Sequence, residues 1–307
     1  MEDFIKEIGR PVKKQVLLKN LCHFKIGGPA DFFFIAKSLF ELKESISLAR
    51  KYKIPYFVIG QGTNLLFDDQ GFRGLIIKNM IEGIEIDEKR KILKAFSGTP
   101  LSQVVEKAAK SSLSGLEVLA GIPGTLGGAI CGNAGAYGKA IGDFIIEATI
   151  IDSKGKEKKV KKNYFQFKYR ASSLKKSRET VLAAKLKLTS WSKSLIEQRI
   201  KEILAQREKK HPPFNVPSGG SFFKNIVLSG GKIISAGFLL DQVGAKKIKI
   251  GQAAVYEKHS NFLINKGGAT CEDVLKLASI LKKKVKETFG FELEEEVIYV
   301  KEDFSKT

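Results

Sequence analysis

GIPGTLGGAICGNAGAYG, residues 121–138, places seven glycines in eighteen positions of a chain otherwise rich in lysine and helix formers. Glycine is costly to order, so such a cluster implies positive-φ turns or something large lying directly against main-chain N–H groups. A dinucleotide fold of the Rossmann type needs GxGxxG directly after a strand and opening a helix. Here Gly124, Gly127 and Gly128 follow Ile122 and Pro123, and the glycines continue past any single turn, so that motif fails. The phosphate loop of nucleotide hydrolases fails too, because no GK[ST] follows. What remains is an extended loop whose N–H groups line a long anionic ligand, a nest rather than a helix terminus. A glycine-rich structural turn is the plainer alternative.

Composition narrows the setting of that loop. A chain of 307 residues with 43% hydrophobic content can build two or three domains with real cores. No apolar run approaches the roughly 18 to 20 residues of a membrane span, and MEDFIKEIGRPVKKQ lacks the apolar centre of a signal peptide. These features point to a cytoplasmic protein with no membrane partner. Cys22, Cys131 and Cys271 match no zinc or redox spacing and read as free thiols, and no metal site is expected. The formal net charge of +20 suggests polyanionic partners. Nucleic acid would favour a basic stripe interleaved with aromatics, whereas Lys282, Lys283, Lys284 and Lys286 fall on a helix face and Lys156, Lys158 and Lys159 on a hairpin edge. The favoured reading is a solvated lysine surface that also attracts small phosphorylated ligands, with no nucleic-acid function.

Along the chain, residues 39–53 have helical periodicity, IPYFVIG reads as a strand, and GLIIKNM and KILKAFSG as two more. Thr99 and Pro100 are placed as cap and first-turn residue of another helix. FIIEATIIDSKGKEKKV reads as a hairpin turning at Ser153 to Gly155, and ETVLAAKLKLTS as a strand. A helix over about 194–210 is broken by HPPFNVPSGG, which marks a boundary. Thr270 and Asp273 have capping-box spacing for a helix reaching about Phe289, and ELEEEVIYV reads as the last strand. The pattern is α+β rather than regular βαβ alternation.

Two further segments, NLCHFKIGGPADFFFI (20–35) and VIGQGTNLLFDDQGFRG (58–74), are glycine-bearing loops joined to strands. Together, Asn20, KIGGPA (25–30), Gly60, Gly62, Asn64, GIPGTLGGAI with NAGAYG, Tyr169-Arg170, GSFFKN (220–225) and HSNFLIN (259–265) resemble the UDP-N-acetylenolpyruvoylglucosamine reductases. The resemblance runs in order over about residues 18–300 and is highly specific. It implies a two-part FAD-binding unit of the vanillyl-alcohol-oxidase/PCMH type, with subdomain 1 in 1–75 and subdomain 2 in 76–192. An α+β substrate-binding domain in 193–307 follows.

The resemblance also implies the chemistry. FAD is held non-covalently, with its pyrophosphate along Gly121, Ile122, Pro123, Gly124, Thr125, Gly127 and Gly128 and on to Asn133, Ala134 and Gly135. Gly60, Gly62, Thr63 and Asn64 form a second phosphate loop. NADPH reduces FAD as cosubstrate, and flavin N5 then delivers hydride to the enolpyruvyl ether of UDP-N-acetylglucosamine, giving UDP-N-acetylmuramate for peptidoglycan. The charge that develops needs donors at the carboxylate and an acid at the neighbouring carbon. Ser221 matches the proton donor, Arg170 the carboxylate clamp, and Glu296 the acid that assists the enolate. Glu294 is its rival, because on a strand it shares a face with Glu296. Lys224 and Asn225 match positions near the nucleotide diphosphate, His259 and Asn261 a segment near the nucleotide, and Tyr169 the wall of the flavin or substrate site. The protein is expected to be a monomer or weak oligomer.

Departures from the family pattern stand beside these matches. Leu21-Cys22-His23 replaces a threonine-rich stretch, whose hydroxyls bear on the adenine side; Cys131-Gly132 precedes NAGAYG; and Tyr256 replaces a small hydroxyl residue. The short interval between Arg170 and Ser221 resembles the compact variant that lacks a substrate-covering tyrosine loop. Another flavin oxidase of the same superfamily would keep the glycine loops without Arg170, Ser221 and Glu296, and a non-enzymatic nucleotide-binding protein would purify colourless.

Overall fold

Ser38 and Glu41 start the first long helix as a capping box: the Ser38 hydroxyl accepts from Glu41 N at 3.2 Å and the Glu41 carboxylate accepts from Ser38 N at 3.1 Å. The helix, Leu39–Lys51, buries Leu42, Ile46 and Ala49, spaced to fall on one face. The structure, a computed structural model, describes residues 2–177 and 179–302. The chain divides into two compact units, one of Met1–Lys13, Phe32–Gln61 and Gly74–Arg207, the other of Lys14–Asp31, Gly62–Arg73 and Glu208–Thr307.

The first unit has two hydrophobic cores. In one, the helix Leu39–Lys51 and the N-terminal helix Glu2–Ile8 bring Leu42, Ile46, Phe4 and Ile8 together with Phe32, Phe34, Leu75 and Ile77 of the sheet. There the strand Tyr56–Ile59 runs parallel to Phe72–Asn79, from Tyr56 opposite Leu75 to Ile59 opposite Lys78. The other core lies on an antiparallel five-stranded sheet ordered Glu157–Lys161, Ile145–Ile151, Thr180–Lys187, Ile92–Phe96, Ile84–Asp87. Its hairpin turns at Ser153 to Gly155 as the sequence predicts, because the Asp152 carboxylate accepts from Lys154 N and Lys156 N, both at 2.9 Å, and Gly155 takes φ +82°. Helices Leu101–Lys110 and Leu126–Gly132 bury Val104, Val105, Leu126 and Ile130 with Leu93, Ala148 and Leu186. Lys193–Lys210 adds Ile203 and stops at the predicted His211-Pro212-Pro213 break.

Two local expectations are corrected. Thr99 does not cap the helix at Leu101; its hydroxyl pairs with Gly83, accepting from N at 3.1 Å and donating to O at 3.3 Å, and Pro100 is the cap residue without a side-chain bond. The last strand is only Ile298–Val300, parallel to Leu65–Phe67. The glutamates before it leave regular pairing because their backbone bonds to the Phe222–Lys224 segment: Glu294 O accepts from Lys224 N at 2.8 Å and Glu296 N donates to Phe222 O at 2.7 Å.

The second unit is built on an antiparallel sheet ordered Ser218–Ser221, His259–Asn265, Ala253–Tyr256, Lys249–Ile250. The helix Cys271–Phe289 begins with the predicted capping box, Asp273 N donating to Thr270 Oγ1 at 3.0 Å and Thr270 N to the Asp273 carboxylate at 3.2 Å. A second carboxylate reinforces it: Asp69 accepts from Cys271 N at 2.8 Å and Glu272 N at 3.2 Å. Gly290 closes the helix at φ +74°. No helix among the described residues is long and apolar enough to cross a membrane.

Candidate active site

The glycine stretch is not the extended nest expected. From Leu126 to Gly132 it is a helix, because Leu126, Ala129 and Ile130 bury one face and Thr125 caps it, accepting from Gly128 N at 3.4 Å. Several of its main-chain donors serve the protein itself. Leu126 N donates to Thr99 O at 2.9 Å, Gly127 N to Ser97 O at 2.8 Å, and Gly124 N to Gln61 Oε1 at 3.1 Å. A Cβ on Gly60 would lie 2.4 Å from Thr125 Oγ1, one on Gly127 3.0 Å from Ser97 O, and one on Gly135 2.3 Å from Lys139 O, so those glycines answer to close approach within the fold.

Gly128 and Gly132 differ. A Cβ on Gly128 would meet only Thr125 Oγ1, at an ordinary 3.6 Å, and one on Gly132 would meet nothing within 4 Å. Four residues apart, they stack on one helix face and leave bare backbone turned away from the protein. The space above these two glycines is open, so the residues present leave room for the FAD pyrophosphate to lie against the main chain there.

The end of the same helix positions Tyr169 and Arg170. Asn133, the left-handed C-cap at φ 45°, donates from Nδ2 to Lys168 O at 2.8 Å and accepts on Oδ1 from Gly142 N at 3.1 Å. Ser172 Oγ donates to Cys131 O at 2.7 Å. Between these anchors, Lys168 and Ala171 exchange two backbone hydrogen bonds and close a tight turn with Tyr169 and Arg170 at its tip. Arg170 takes φ +52°, a left-handed value disfavoured for a residue with a side chain. Its guanidinium lies 5.2 Å from the Tyr169 ring centroid. Arg207, which motif reading missed, adds a second guanidinium: its stem packs on Gly121, and burial together with the Arg170 charge holds it below the ordinary arginine range.

In the second unit the structure brings Ser221, Asn64, Asn261 and Glu296 together. Ser221 ends its strand directly after a register shift, with Gly220 at φ +80°, an arrangement that re-aims the following side chain. Gly219 must lack a side chain because a Cβ would lie 2.8 Å from Val297 and 2.9 Å from the Phe24 ring. Beyond Ser221, the buried Asn261 amide grips Phe223 at both ends, accepting from its N at 2.9 Å and donating to its O at 2.8 Å. Asn64 Nδ2 donates to Glu296 O at 3.1 Å. Both asparagines thus hold the backbone around Ser221 and Glu296.

The three consecutive glutamates are distinguished by their neighbours. Glu294 pairs with Lys224 at 2.8 Å, and that ammonium holds its carboxyl below the usual range; Glu295 pairs with Lys282 at 2.7 Å. Glu296 is the one whose own N–H is bonded to Phe222, next to Ser221. Asn225 Oδ1 accepts from Ala236 N at 3.0 Å, at the start of the helix Ala236–Gln242. His259 Nδ1 accepts from Asn261 N at 3.2 Å, its ring packs on His211 and Phe262, and burial lowers its basicity. Gly62 takes φ +67° where a Cβ would lie 2.3 Å from Leu21 O, and Thr63 follows it.

Residues 212–300 match the family described as UDP-N-acetylenolpyruvoylglucosamine reductase, C-terminal domain, and residues 30–161 the family described as FAD binding domain. The chain is 40% identical over 293 residues to the UDP-N-acetylenolpyruvoylglucosamine reductase of Clostridium novyi, covering 95% of this chain and 93% of that one. To the protein of the same name from Clostridium tetani it is 39% identical over 305 residues, covering 99% and 97%. The crystal structure of the Thermus caldophilus UDP-N-acetylenolpyruvylglucosamine reductase superposes with a TM-score of 0.77 at 32% identity, covering 94% of this chain and 98% of that one.

Proposed function

The chain belongs to the UDP-N-acetylenolpyruvoylglucosamine reductases, and from that premise we propose the part each of its residues takes in the reaction. The protein is an FAD-dependent oxidoreductase that uses NADPH to reduce the enolpyruvyl ether of UDP-N-acetylglucosamine to UDP-N-acetylmuramate in peptidoglycan precursor synthesis. FAD held by this part of the chain would supply the hydride relay from NADPH to the terminal carbon of the enolpyruvyl group. The bare face at Gly128 and Gly132 supports the pyrophosphate, within an FAD-binding part spanning 1–75 and 76–192; residues 193–307 supply the substrate side.

Hydride addition leaves charge that spreads into the carboxylate of the substrate. Arg170 binds that carboxylate with its planar fork of donors. Ser221 donates a proton to the carbon beside it, and Glu296 shares a proton with the carboxylate as the charge develops. Glu294 is set aside, because it is exposed and paired with Lys224. Lys224, released from that surface pair, meets the diphosphate, with Asn225 and His259 near the nucleotide and Tyr169 beside the flavin. Asn261 acts through the backbone it holds. The protein works in the cytoplasm as a monomer or weak oligomer, without nucleic acid or membrane.

The observation that carries this reading is Ser221 on its bulge, one residue from the Phe222 carbonyl that bonds Glu296 N. Ser221→Ala is expected to leave flavin reduction by NADPH intact, since no substrate proton moves in it. Flavin reoxidation by the enolpyruvyl nucleotide is expected to slow by about 10² to 10⁴. Rapid-mixing absorbance follows each step separately. Equal slowing of both would make Ser221 a structural residue.

A further inference from the structure

His23 lies on the loop between the Leu18–Asn20 turn and the strand Pro29–Ala36. In this chain its ring reaches the backbone that leads into Ser221. Nδ1 lies 2.8 Å from Ser218 O and Nε2 2.6 Å from Phe214 O, while the ring packs on Phe214 at 4.5 Å between centroids. Both partners are carbonyl oxygens, so whichever ring nitrogen carries hydrogen has an acceptor within reach. His23 N in turn donates to Gly62 O at 3.0 Å, fixing the base of the side chain.

The rest of this loop is docked on the same strand. Phe24 is fully buried, and its ring occupies the space a Gly219 side chain would need. Asn265, at the end of the neighbouring strand, donates from Nδ2 to Phe24 O at 3.2 Å. The approach to Ser221 is thereby held at Phe214, Ser218 and Gly219, and its exit at Phe222 and Phe223 by Asn261 and Glu296. Strand pairing sets Ser218 opposite Ile264 and Ser221 opposite Phe262, and the bulge between them, with Gly220 at φ +80°, is the step that pairing does not fix. The His23 ring holds Ser218, the residue from which that step departs.

We infer that His23 is a positioning residue for Ser221: a two-ended clamp on the Phe214 and Ser218 carbonyls that aims the proton donor. The inference rests on the reading of Ser221 given above. Two variants test it. His23→Phe keeps a ring against Phe214 and removes its hydrogen bonding to the two carbonyls; His23→Arg restores a fork of donors. In His23→Phe, amide hydrogen exchange is expected to quicken across residues 218–223. Reoxidation of the reduced flavin by the enolpyruvyl nucleotide should slow by about tenfold to hundredfold, the scale of a misplaced reacting group, with flavin reduction by NADPH unchanged. His23→Arg should recover reoxidation and exchange protection together. Unchanged exchange and reoxidation in His23→Phe, equal loss in both half-reactions, or no gain from arginine over phenylalanine would each overturn the inference. If Ser221→Ala itself slows both half-reactions, the reading of Ser221 fails instead. If Ser221→Ala slows reoxidation alone and His23→Phe does not, only the clamp is refuted.

Discussion

Gly128→Ala separates the two reasons for a bare backbone, the needs of the fold and the needs of a ligand. At Gly128 the fold asks for nothing: the residue is helical, its φ is not among the positive values, and a methyl would meet a single atom at 3.6 Å. Alanine in a helix gains about 0.5–1 kcal/mol over glycine. Gly128 sits in the first turn of a short helix, so about 0.5 kcal/mol is expected. At about 2–4 °C per kcal/mol for units of this size, the flavin-free protein should melt about 1–2 °C higher. Binding should move the other way. A methyl on that face lifts the pyrophosphate off the main chain, and losing one charge-assisted hydrogen bond costs about 1.5–3 kcal/mol, or roughly tenfold to hundredfold in FAD affinity. Fluorimetric titration of the deflavinated protein with FAD, beside thermal melts with and without FAD, measures both. Gly127→Ala is the contrast, since its Cβ would press on Ser97 and destabilise the flavin-free protein as well. If Gly128→Ala binds FAD as tightly as the parent, the outward face of this helix is not the cradle.

The flavin should be released into the supernatant by acid precipitation; colour kept in the washed pellet would mean a covalent link. Arg170→Gly and Arg170→Ala should both lose reoxidation by the enolpyruvyl nucleotide, with the glycine variant about 1 kcal/mol the more stable in urea, because only glycine takes φ +52° without a steric cost; equal midpoints would show that the turn is unstrained. Burial holds the folded His259 below its ordinary value of 6.5, so the unfolded chain takes up its proton first as pH falls. Its contribution is therefore complete above about pH 6.5 and lost on acidification, and His259→Gln should flatten that part of the stability profile; an unaltered acid limb would rule out this source.

What the sequence reveals here is what lies close along it. The Thr270 and Asp273 box and the Asp152 turn are read correctly because each cap bonds within four residues. The helix within the glycine stretch escapes because glycines lower its propensity, although Leu126, Ala129 and Ile130 already carry the spacing of a buried face. Thr99 has cap chemistry but finds Gly83 first. The last strand is overcalled because alternation in ELEEEVIYV cannot show that Phe222 and Lys224 will claim its backbone. For the proposed site, motif matches point to Ser221, Arg170 and Glu296, whereas the partners of Asn64, His23 and Asn261 are 232, 195 and 38 residues away and leave no local signal.

The second unit is discontinuous: Leu65–Phe67 pairs with Ile298–Val300, and the Phe24 ring lies against Gly219 and Val297. On the ribosome the early partners must therefore wait for the late ones. At about 5–20 residues per second, the stretch separating the two paired strands takes on the order of 10–50 s to synthesise. Throughout that interval Phe24 and Phe67, both fully buried in the finished protein, have no completed unit to enter. Phe24 and Phe67 thus stay without their final partners until residues 297–300 have been made.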